Sequence, residues 1–452
     1  MKKELLLGAV LSTAVLSAPT YAVKLSDANI DFGIQYRVMY NNSNIGSEKQ
    51  YDFFRQRLRL NLDVHTEENV GGFIQIEYRG GWGGSSPASS DPRGVYAINA
   101  FNRLQARGIR YGYLYFPAGP GKVMAGILPA NDQVDQMLFS ADWDLNIGGI
   151  AYAGSTGTFN WRAAYVRLVE GQALINNSQI NKDQDEHFIV LDLNTKAGGV
   201  DVGVHWYGAY GKVCIPGTTQ ECIDSDNNPG NDAPATKLNQ TWLGAHATAD
   251  LDMFKVHGVV LYNTGKVGNT DNSGFLVRLE PSAKVGPANV SVLGVYSSGK
   301  ETTDSKRGFI TTHNVLGTAG YWAYTYIFTP HGPSDVNDFG LEPGNRGHGL
   351  ITLQAKIDVP IMEKLSAQIV GGWFRSAKDM WYDSDGDNTI DTNAGKNLGT
   401  EFGVQLTYNT GKHMNLEFGG AVASIGDAGK YLYNGVDKSS VNEIFARLQL
   451  EF

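Results

Sequence analysis

Residues 444–452 read IFARLQLEF, and the chain stops at the phenylalanine. Apolar residues alternate with a second, mostly polar set along this stretch: Ile444, Ala446, Leu448, Leu450 and Phe452 against Phe445, Arg447, Gln449 and Glu451. Such alternation places the two sets on opposite faces of a β-strand. The last strand of a soluble domain rarely ends on an apolar aromatic residue. The pattern of 444–452 fits better a strand with one face in lipid and the other in a water-filled lumen. The stretch therefore predicts the closing strand of a transmembrane β-barrel.

This terminal strand resembles the last strand of Gram-negative outer-membrane β-barrels, which typically ends in phenylalanine. The resemblance implies that the barrel-assembly machinery recognises Phe452 and its strand. It also implies a location in the cell outer membrane, in contact with outer-membrane lipid and lipopolysaccharide.

The first residues predict a secretory signal peptide. Lys2 and Lys3 precede an apolar stretch at 5–16, and Thr20-Tyr21-Ala22 offers small residues for cleavage. We expect cleavage after Ala22, so that 1–22 is the signal peptide and 23–452 is a single barrel domain. A retained membrane anchor is the alternative, but the apolar run is too short to cross a bilayer. The rest of the chain has no apolar run of about 18 residues, so we expect no transmembrane helix.

Composition favours an all-β protein. The chain has 55 glycines, 15 prolines and 18% charged residues, and 11% of its residues are aromatic. Abundant glycine and aromatic residues among short alternating segments are typical of β-structure. The net charge of −9 and the lack of a basic block argue against a nucleic-acid partner.

Alternating segments recur along the chain and are joined by short and long connections in turn. Short turns are predicted near residues 66–69, 118–121, 155–157, 196–199, 250–252, 286–289, 360–363 and 409–412, and long polar stretches at 82–102, 213–236, 300–345 and 378–396. This asymmetry predicts an antiparallel up-and-down β-barrel with short periplasmic turns and long outer loops. The count is about 18 strands. Sixteen is the main rival, and twenty follows if 309–328 forms a further hairpin.

The second strand shows why the interior must be wet. Leu58, Leu60, Leu62 and Val64 share one face, and the other face carries Arg55, Arg57, Arg59, Asn61 and Asp63. Three arginines from one strand cannot enter a dry core without dedicated partners. A barrel of sixteen to eighteen strands leaves an aqueous channel. A soluble sandwich or propeller with charges facing solvent is the alternative.

Arginines concentrate near the N-terminus, where nine of the sixteen lie within the first 110 residues. Six of them fall on adjacent predicted strands, on the polar face, and are expected to form a basic wall: Arg37, Arg55, Arg57, Arg59, Arg79 and Arg110. Rows of arginine favour anions in pores. The alternative is a set of internal salt bridges that serves stability alone.

The third outer loop, residues 129–146, has the opposite character. Four acids surround an apolar Met137-Leu138-Phe139: Asp132, Asp135, Asp142 and Asp144. We expect this loop to fold into the barrel, and residues 300–345 to carry structure or fold inward as well. In general porins, which the chain resembles in its whole architecture, the third loop narrows the pore against a basic wall. The arginine-rich second strand and the Gly-Trp-Gly-Gly at 81–84 also resemble the outer-membrane homotrimeric porins, which implies a homotrimer.

A calcium site is predicted in the eighth outer loop. Oxygen-bearing side chains recur at every second position in Asp383, Asp385, Asp387, Thr389 and Asp391, a spacing that suits Ca²⁺. The pattern resembles the EF-hand loop. Asn388 replaces its turn glycine, and Ala394 stands where the bidentate acid would be. A solvated acidic loop without metal is the alternative.

The two cysteines, Cys214 and Cys222, lie in the fifth outer loop. In an oxidising compartment we expect them to form a disulfide. Two thiolates with no nearby histidine make an incomplete zinc site. The nine histidines are scattered, and none forms a His-x-x-x-His pair.

The sequence therefore predicts an outer-membrane channel for passive diffusion of ions and small hydrophilic solutes. A substrate-selective pore for oligosaccharides or carboxylates is one alternative, and a calcium-binding surface adhesin or layer anchor built on a barrel is another. We expect no enzymatic activity, because no nucleophile–base motif is present.

Overall fold

The computed structural model describes residues 28–47, 49–82, 105–142, 145–169, 186–213, 236–268, 270–301, 306–312, 320–334, 337–383, 390–432 and 438–452. Eighteen antiparallel strands form one closed sheet. They are β1 Asn29–Ser43, β2 Tyr51–His65, β3 Gly71–Gly81, β4 Gln105–Ala118, β5 Gly121–Pro129, β6 Asn146–Thr156, β7 Phe159–Val169, β8 Glu186–Ala197, β9 Val200–Val213, β10 Thr236–Leu251, β11 Phe254–Val267, β12 Thr270–Val285, β13 Ala288–Ser297, β14 Leu350–Met362, β15 Leu365–Tyr382, β16 Thr392–Asn409, β17 Met414–Ile425 and β18 Ser440–Glu451. One short helix, α1 Asp427–Leu432, precedes the last strand. In the part of the chain that the structure describes, no helix has the length and apolar character needed to cross a membrane.

The first and last strands close the barrel. β1 pairs with β2 on one side and with β18 on the other. At the end of the seam, Ile34 N donates to Phe452 O at 2.6 Å and Phe452 N donates to Ile34 O at 3.0 Å. The predicted count of 18 strands is confirmed, and the rival counts of 16 and 20 are wrong. In place of an extra hairpin, the described part of 306–334 contains a two-residue strand, Lys306–Arg307, which lies parallel to β12.

Short turns at one end and longer loops at the other agree with the predicted asymmetry, with two differences. Within the predicted loop 378–396, residues 378–382 and 392–396 are strand, because β15 and β16 extend toward the outer side and still pair at Trp381 and Asn393. The outer connection from β11 to β12 is only residues 268–269. The register of β15 against β16 shifts around Arg375 and Met380, and residues 392–396 of β16 are mostly polar. Both features interrupt the alternation by which a strand is predicted from sequence.

The outward face of the barrel is apolar. Leu114 is 70% exposed, Leu353 is 57% exposed and Phe402 is 54% exposed, and each of them lies on the face opposite the lumen. These side chains alternate along their strands with inward residues such as Tyr115, Gln354 and Glu401. An apolar outer band with a polar interior is the pattern of a barrel that spans a membrane.

Part of the barrel interior is a hydrophobic core. Two outer loops supply it: L3, residues 130–145, and L7, residues 298–349. Their fully buried side chains include Met137, Leu138, Phe139, Phe309, Ile310, Trp322 and Phe328. The inner face of β6–β18 meets them with apolar side chains, which include Val166, Phe188, Tyr207, Trp242, Leu276, Leu293, Leu350, Phe374, Leu398 and Phe445. An eighteen-stranded barrel is too wide for wall side chains alone to fill, so this core requires the loops.

Phe328 tests whether L7 is held by this core. Its ring stacks on Phe374 of β15, with 4.5 Å between the centroids, and is fully buried. We expect Phe328→Ala to lower the free energy that holds L7 in the core by about 3–5 kcal/mol, because the substitution leaves a cavity. Trypsin should then cleave L7 faster at Arg307 and Arg346, as followed by mass spectrometry. Phe418→Ala, on the lipid face, is the control, and equal cleavage rates in both variants would contradict the packing described here.

Candidate functional site in the barrel lumen

The strand register aligns arginines on the inner face of β1–β4. Arg37 of β1 pairs with Arg57 of β2, which in turn pairs with Arg79 of β3. Arg55 and Arg59 lie two residues above and below Arg57 on the same face. The six predicted wall residues thus lie on four consecutive strands, with Arg110 on β4. We call this set the arginine wall: Arg37, Arg55, Arg57, Arg59, Arg79 and Arg110.

Glu77 of β3 lies within the arginine wall. Its carboxylate is 2.7 Å from Arg59 Nε, 2.5 Å from Arg79 Nε and 3.9 Å from Arg110 Nε. Glu77 is 3% exposed, so it neutralises part of the wall from within. Glu77 was not among the predicted wall residues, although the alternation along β3 places it on the same face as Arg79.

Neutral amides order the guanidinium groups of Arg57 and Arg110. Arg57 Nη2 donates to Gln35 Oε1 at 2.9 Å, and Arg110 Nη1 donates to Gln75 Oε1 at 3.1 Å. Amide acceptors fix the direction of an arginine without cancelling its charge. The arginine wall therefore combines ordered side chains with a net positive charge.

Asp132 organises L3 from inside. Its carboxylate accepts backbone N–H bonds from Val134, Gln136, Leu138 and Phe139, at 2.9, 2.8, 2.7 and 2.9 Å. Burial raises the pKa of Asp132 to about 6, and the four N–H donors act against that rise. Asp132, one of the four acids predicted to line the constriction, is buried and binds the backbone of its own loop. Asp142 is exposed, and Asp144 lies outside the described residues.

L3 reaches from the arginine wall to the far side of the lumen. At one end, Arg110 Nη2 and Tyr111 OH donate to Ala141 O, the latter at 3.3 Å. At the other end, Phe139 packs edge-on against Phe188 and Tyr207, with centroids 5.1 and 5.0 Å apart. L3 also contacts L7, because Gly320 N donates to Gln136 O at 2.9 Å. The two loops therefore form one connected unit inside the barrel.

Asp135 attaches the L3 tip to the wall of β11 and β12. Its carboxylate is 2.7 Å from His257 Nε2 and 3.2 Å from Arg278 Nε. Burial acts to raise the pKa of Asp135, but the bond to His257 and the charge of Arg278 hold it below its usual range. The contact with Arg278 is therefore between charged groups at neutral pH.

Three histidines that looked scattered in the sequence lie together on this wall. His205 Nε2 is 2.8 Å from His246 Nδ1, and the rings of His246 and His257 are 6.1 Å apart. Asp192 Oδ1 forms a hydrogen bond with His205 Nδ1 at 2.7 Å. Each histidine comes from a different strand, so only the register of β9, β10 and β11 brings them together. Among the described residues, no group of three or more His, Cys, Asp or Glu is arranged to hold a metal ion.

L7 is attached through a buried carboxylate and an amide. Glu401 of β16 accepts N–H bonds from Tyr326, Ile327 and Phe328 at 2.6, 3.0 and 2.9 Å. On the opposite side, Asn337 Nδ2 donates to Asn41 Oδ1 of β1 at 2.9 Å. These contacts stretch L7 from β16 to the first strand.

Two further groups of predicted residues fall largely outside the described part of the chain. Of the calcium ligands, Asp383 and Asp391 are described, and Asp391 N donates to Tyr382 O at 3.3 Å at the base of the loop. Asp385, Asp387 and Thr389 lie outside the described residues, as do Cys214 and Cys222. The calcium site and the disulfide stay predictions.

The fold was compared with known proteins. The crystal structure of Pseudomonas aeruginosa OccK3 (OpdO) matches with a TM-score of 0.55 at 12% sequence identity, covering 94% of this chain and 96% of that chain. P. aeruginosa OccK2 (OpdF) in complex with glucuronate matches with a TM-score of 0.53 at 13% identity, covering 95% and 99%. Acinetobacter baumannii OccAB4 matches with 0.54 at 12% identity, covering 94% and 98%. The chain has the fold of these barrels.

The structure of the outer membrane protein OpdK of P. aeruginosa is similar as well, with a TM-score of 0.53 at 11% identity, covering 94% of this chain and 98% of that chain. No protein-family model matches the chain, and no curated protein sequence matches it. The predicted fold class, a closed antiparallel barrel of 18 strands, is confirmed, and it agrees with the predicted outer-membrane location.

Asp132→Asn tests the internal organisation of L3. An asparagine oxygen offers fewer acceptor sites and no charge, so buried N–H groups of L3 lose their partner at about 1–3 kcal/mol each. We expect a looser L3, visible as increased current noise in single-channel recordings. Asp142→Asn, in the same loop but exposed, should leave the noise unchanged. Equal noise in the two variants would show that Asp132 does not hold the loop.

Proposed function

We propose that the protein is an outer-membrane channel for passive diffusion of ions and small hydrophilic solutes, with a preference for anions. The arginine wall supports this proposal most directly. Its six guanidinium groups lie on the inner face of four consecutive strands, where Glu77 contacts Arg59 and Arg79. The amides order Arg57 and Arg110 without cancelling their charge. Arg55, Arg57 and Arg79 are partly exposed on this inner face, as charged groups that meet water are.

The two inner loops support the same proposal. L3 and L7 bury apolar side chains on the inner face of β6–β18 in a hydrophobic core. Water-filled space therefore remains beside the polar inner faces, foremost that of the arginine wall. A solute passing through the barrel would move along guanidinium groups, and rows of arginine favour anions in pores.

A preference for carboxylated solutes is the second candidate. Guanidinium groups bind carboxylates through paired N–H donors, and adjacent arginines offer successive sites of this kind. The similar OccK2 barrel was solved in complex with glucuronate, a sugar carboxylate. We extend this chemistry to the present chain as part of the proposal.

Replacing Arg55, Arg57 and Arg59 together with Gln tests the proposal. The wild-type protein in a planar bilayer should give discrete current steps and, in a salt gradient, a reversal potential that favours anions. The triple variant should keep the steps and move its reversal potential toward cations, because three positive charges leave the water-filled path.

Lys122, Lys255 and Lys284 provide a matched control, because they lie near the short-turn end of the barrel, away from the arginine wall. Their replacement by Gln removes the same charge and should shift the potential less. If pure wild-type protein gave no current steps in the bilayer, the proposed channel function would be wrong. An unchanged potential in the arginine variant would place these residues away from the conducting path.

Other expectations from the sequence remain predictions. The homotrimer rests on the resemblance to trimeric porins, and native mass in mild detergent decides it. The calcium-binding adhesin would depend on the loop at 383–391. An enzymatic role is not part of the proposal.

A further inference from the structure

The outward face of β15 and β16 contains a cleft at the upper edge of the apolar band. It has a volume of about 560 Å³ and is lined by Trp373, Arg375, Asp379, Lys396 and Asn397. We propose that this cleft binds the phosphorylated sugar headgroup of a lipid in the outer leaflet. The inference rests on the proposed outer-membrane location and assigns one site within the lipid contact.

The register places the cleft on the lipid side. Arg375 pairs with Ile351 of β14, and Trp373 pairs with Leu353, which is 57% exposed on the outward face. The buried neighbour Phe374 points to the lumen. Arg375 and Trp373 therefore face outward, away from the conducting path.

The height of Arg375 matches the outer headgroup level. Ile361, an exposed residue at the short-turn end of β14, lies about ten residues below Ile351, the partner of Arg375. At roughly 3.3 Å per residue and a strand tilt of roughly 40°, this corresponds to about 25 Å, the height of the apolar band in such barrels. The outward positions of β15 below Arg375 are Ala367, Ile369, Gly371 and Trp373. Arg375 is thus the first outward charge of its strand above the apolar band.

A distortion of the sheet opens the cleft. The register of β15 against β16 shifts on both sides of Arg375, between Phe374 and Arg375 and again between Arg375 and Met380. A bulge bends its strand and redirects side chains, which creates a concave surface on an otherwise smooth wall.

The charges in the cleft suit a phosphate. Arg375 is exposed and makes no hydrogen bond or ion pair within the described residues. Lys396 Nζ is 3.8 Å from Asp379 Oδ2, at the outer limit of an ion pair, and 31% of its side chain is exposed. A planar guanidinium and a nearby ammonium are a common phosphate-binding pair.

The remaining lining groups suit a sugar. Asn397 and Asp379 offer hydrogen-bonding groups for hydroxyls, and the half-exposed indole of Trp373 lies at the lower edge of the cleft. Tryptophan side chains prefer the membrane interface, where one part contacts apolar chains and another contacts polar headgroups. The cleft thus combines an anion site with groups for the sugar that carries the phosphate.

The test compares two pairs of outward cations at the outer ends of strands. Arg375→Ser with Lys396→Ser removes the cations of the cleft. Lys237→Ser with Lys266→Ser is the matched control, because both lysines face outward at the outer ends of β10 and β11. Native mass spectrometry in detergent measures binding of diphosphorylated lipid A to each protein. We expect a fall in affinity of about 10–30-fold for the cleft pair and less than about 3-fold for the control pair.

Two further probes distinguish the source of the phosphate. Lipid A without its phosphates should bind all variants alike. Inorganic phosphate should not displace the lipid, since a free anion lacks the sugar and acyl contacts. The proposal would be overturned if both pairs of substitutions lowered the affinity for lipid A equally. It would also be overturned if inorganic phosphate at matched concentration displaced the lipid. Single-channel conductance should be the same in the cleft variant as in the wild-type protein. Conductance therefore tests the channel function independently of the lipid site.

Discussion

Closure of eighteen strands into one ring creates a lumen that wall side chains cannot fill, and the rest of the structure follows from this constraint. Backbone groups of the sheet are satisfied by pairing around the ring, including the seam between β1 and β18. The interior then has to be filled by chain segments or by water. L3 and L7 supply the segments that cover the apolar inner face of β6–β18, and our proposal places the water beside the arginine wall.

Buried carboxylates hold both loops in place: one orders L3 from inside and the other attaches L7 to β16, and in each case the loop contributes backbone N–H groups. The carboxylate of Asp132 accepts hydrogen bonds from four N–H groups of L3, and that of Glu401 accepts three from L7. Loop backbone without regular secondary structure can be buried only if its polar groups find partners. These two carboxylates thus allow irregular segments to pack inside a barrel, and apolar contacts such as Phe139 with Tyr207 add the packing energy.

Much of the fold was predictable because lipid and water impose a period of two on every spanning strand. The alternation placed Leu58, Leu60 and Leu62 on one face of β2 and the arginines of β1–β4 on the other. The inner core was harder to predict. Trp242 and Leu276 are apolar residues on the lumen side, and only the loops that cover them explain why they are there. The histidine group was missed for another reason. His205, His246 and His257 are far apart in sequence, and the register between three strands decides their contact.

Accessibility of the two inner surfaces tests the central claim most directly: the arginine wall faces the conducting water, and the β11 wall lies beneath L3 and L7. Single channels of Arg57→Cys and Val259→Cys are exposed to a negatively charged, membrane-impermeant thiol reagent, with the wild-type protein as background for its two native cysteines. We predict a stepwise fall of the current with Arg57→Cys and none with Val259→Cys. Modification of Val259→Cys, with no effect on Arg57→Cys, would contradict this account.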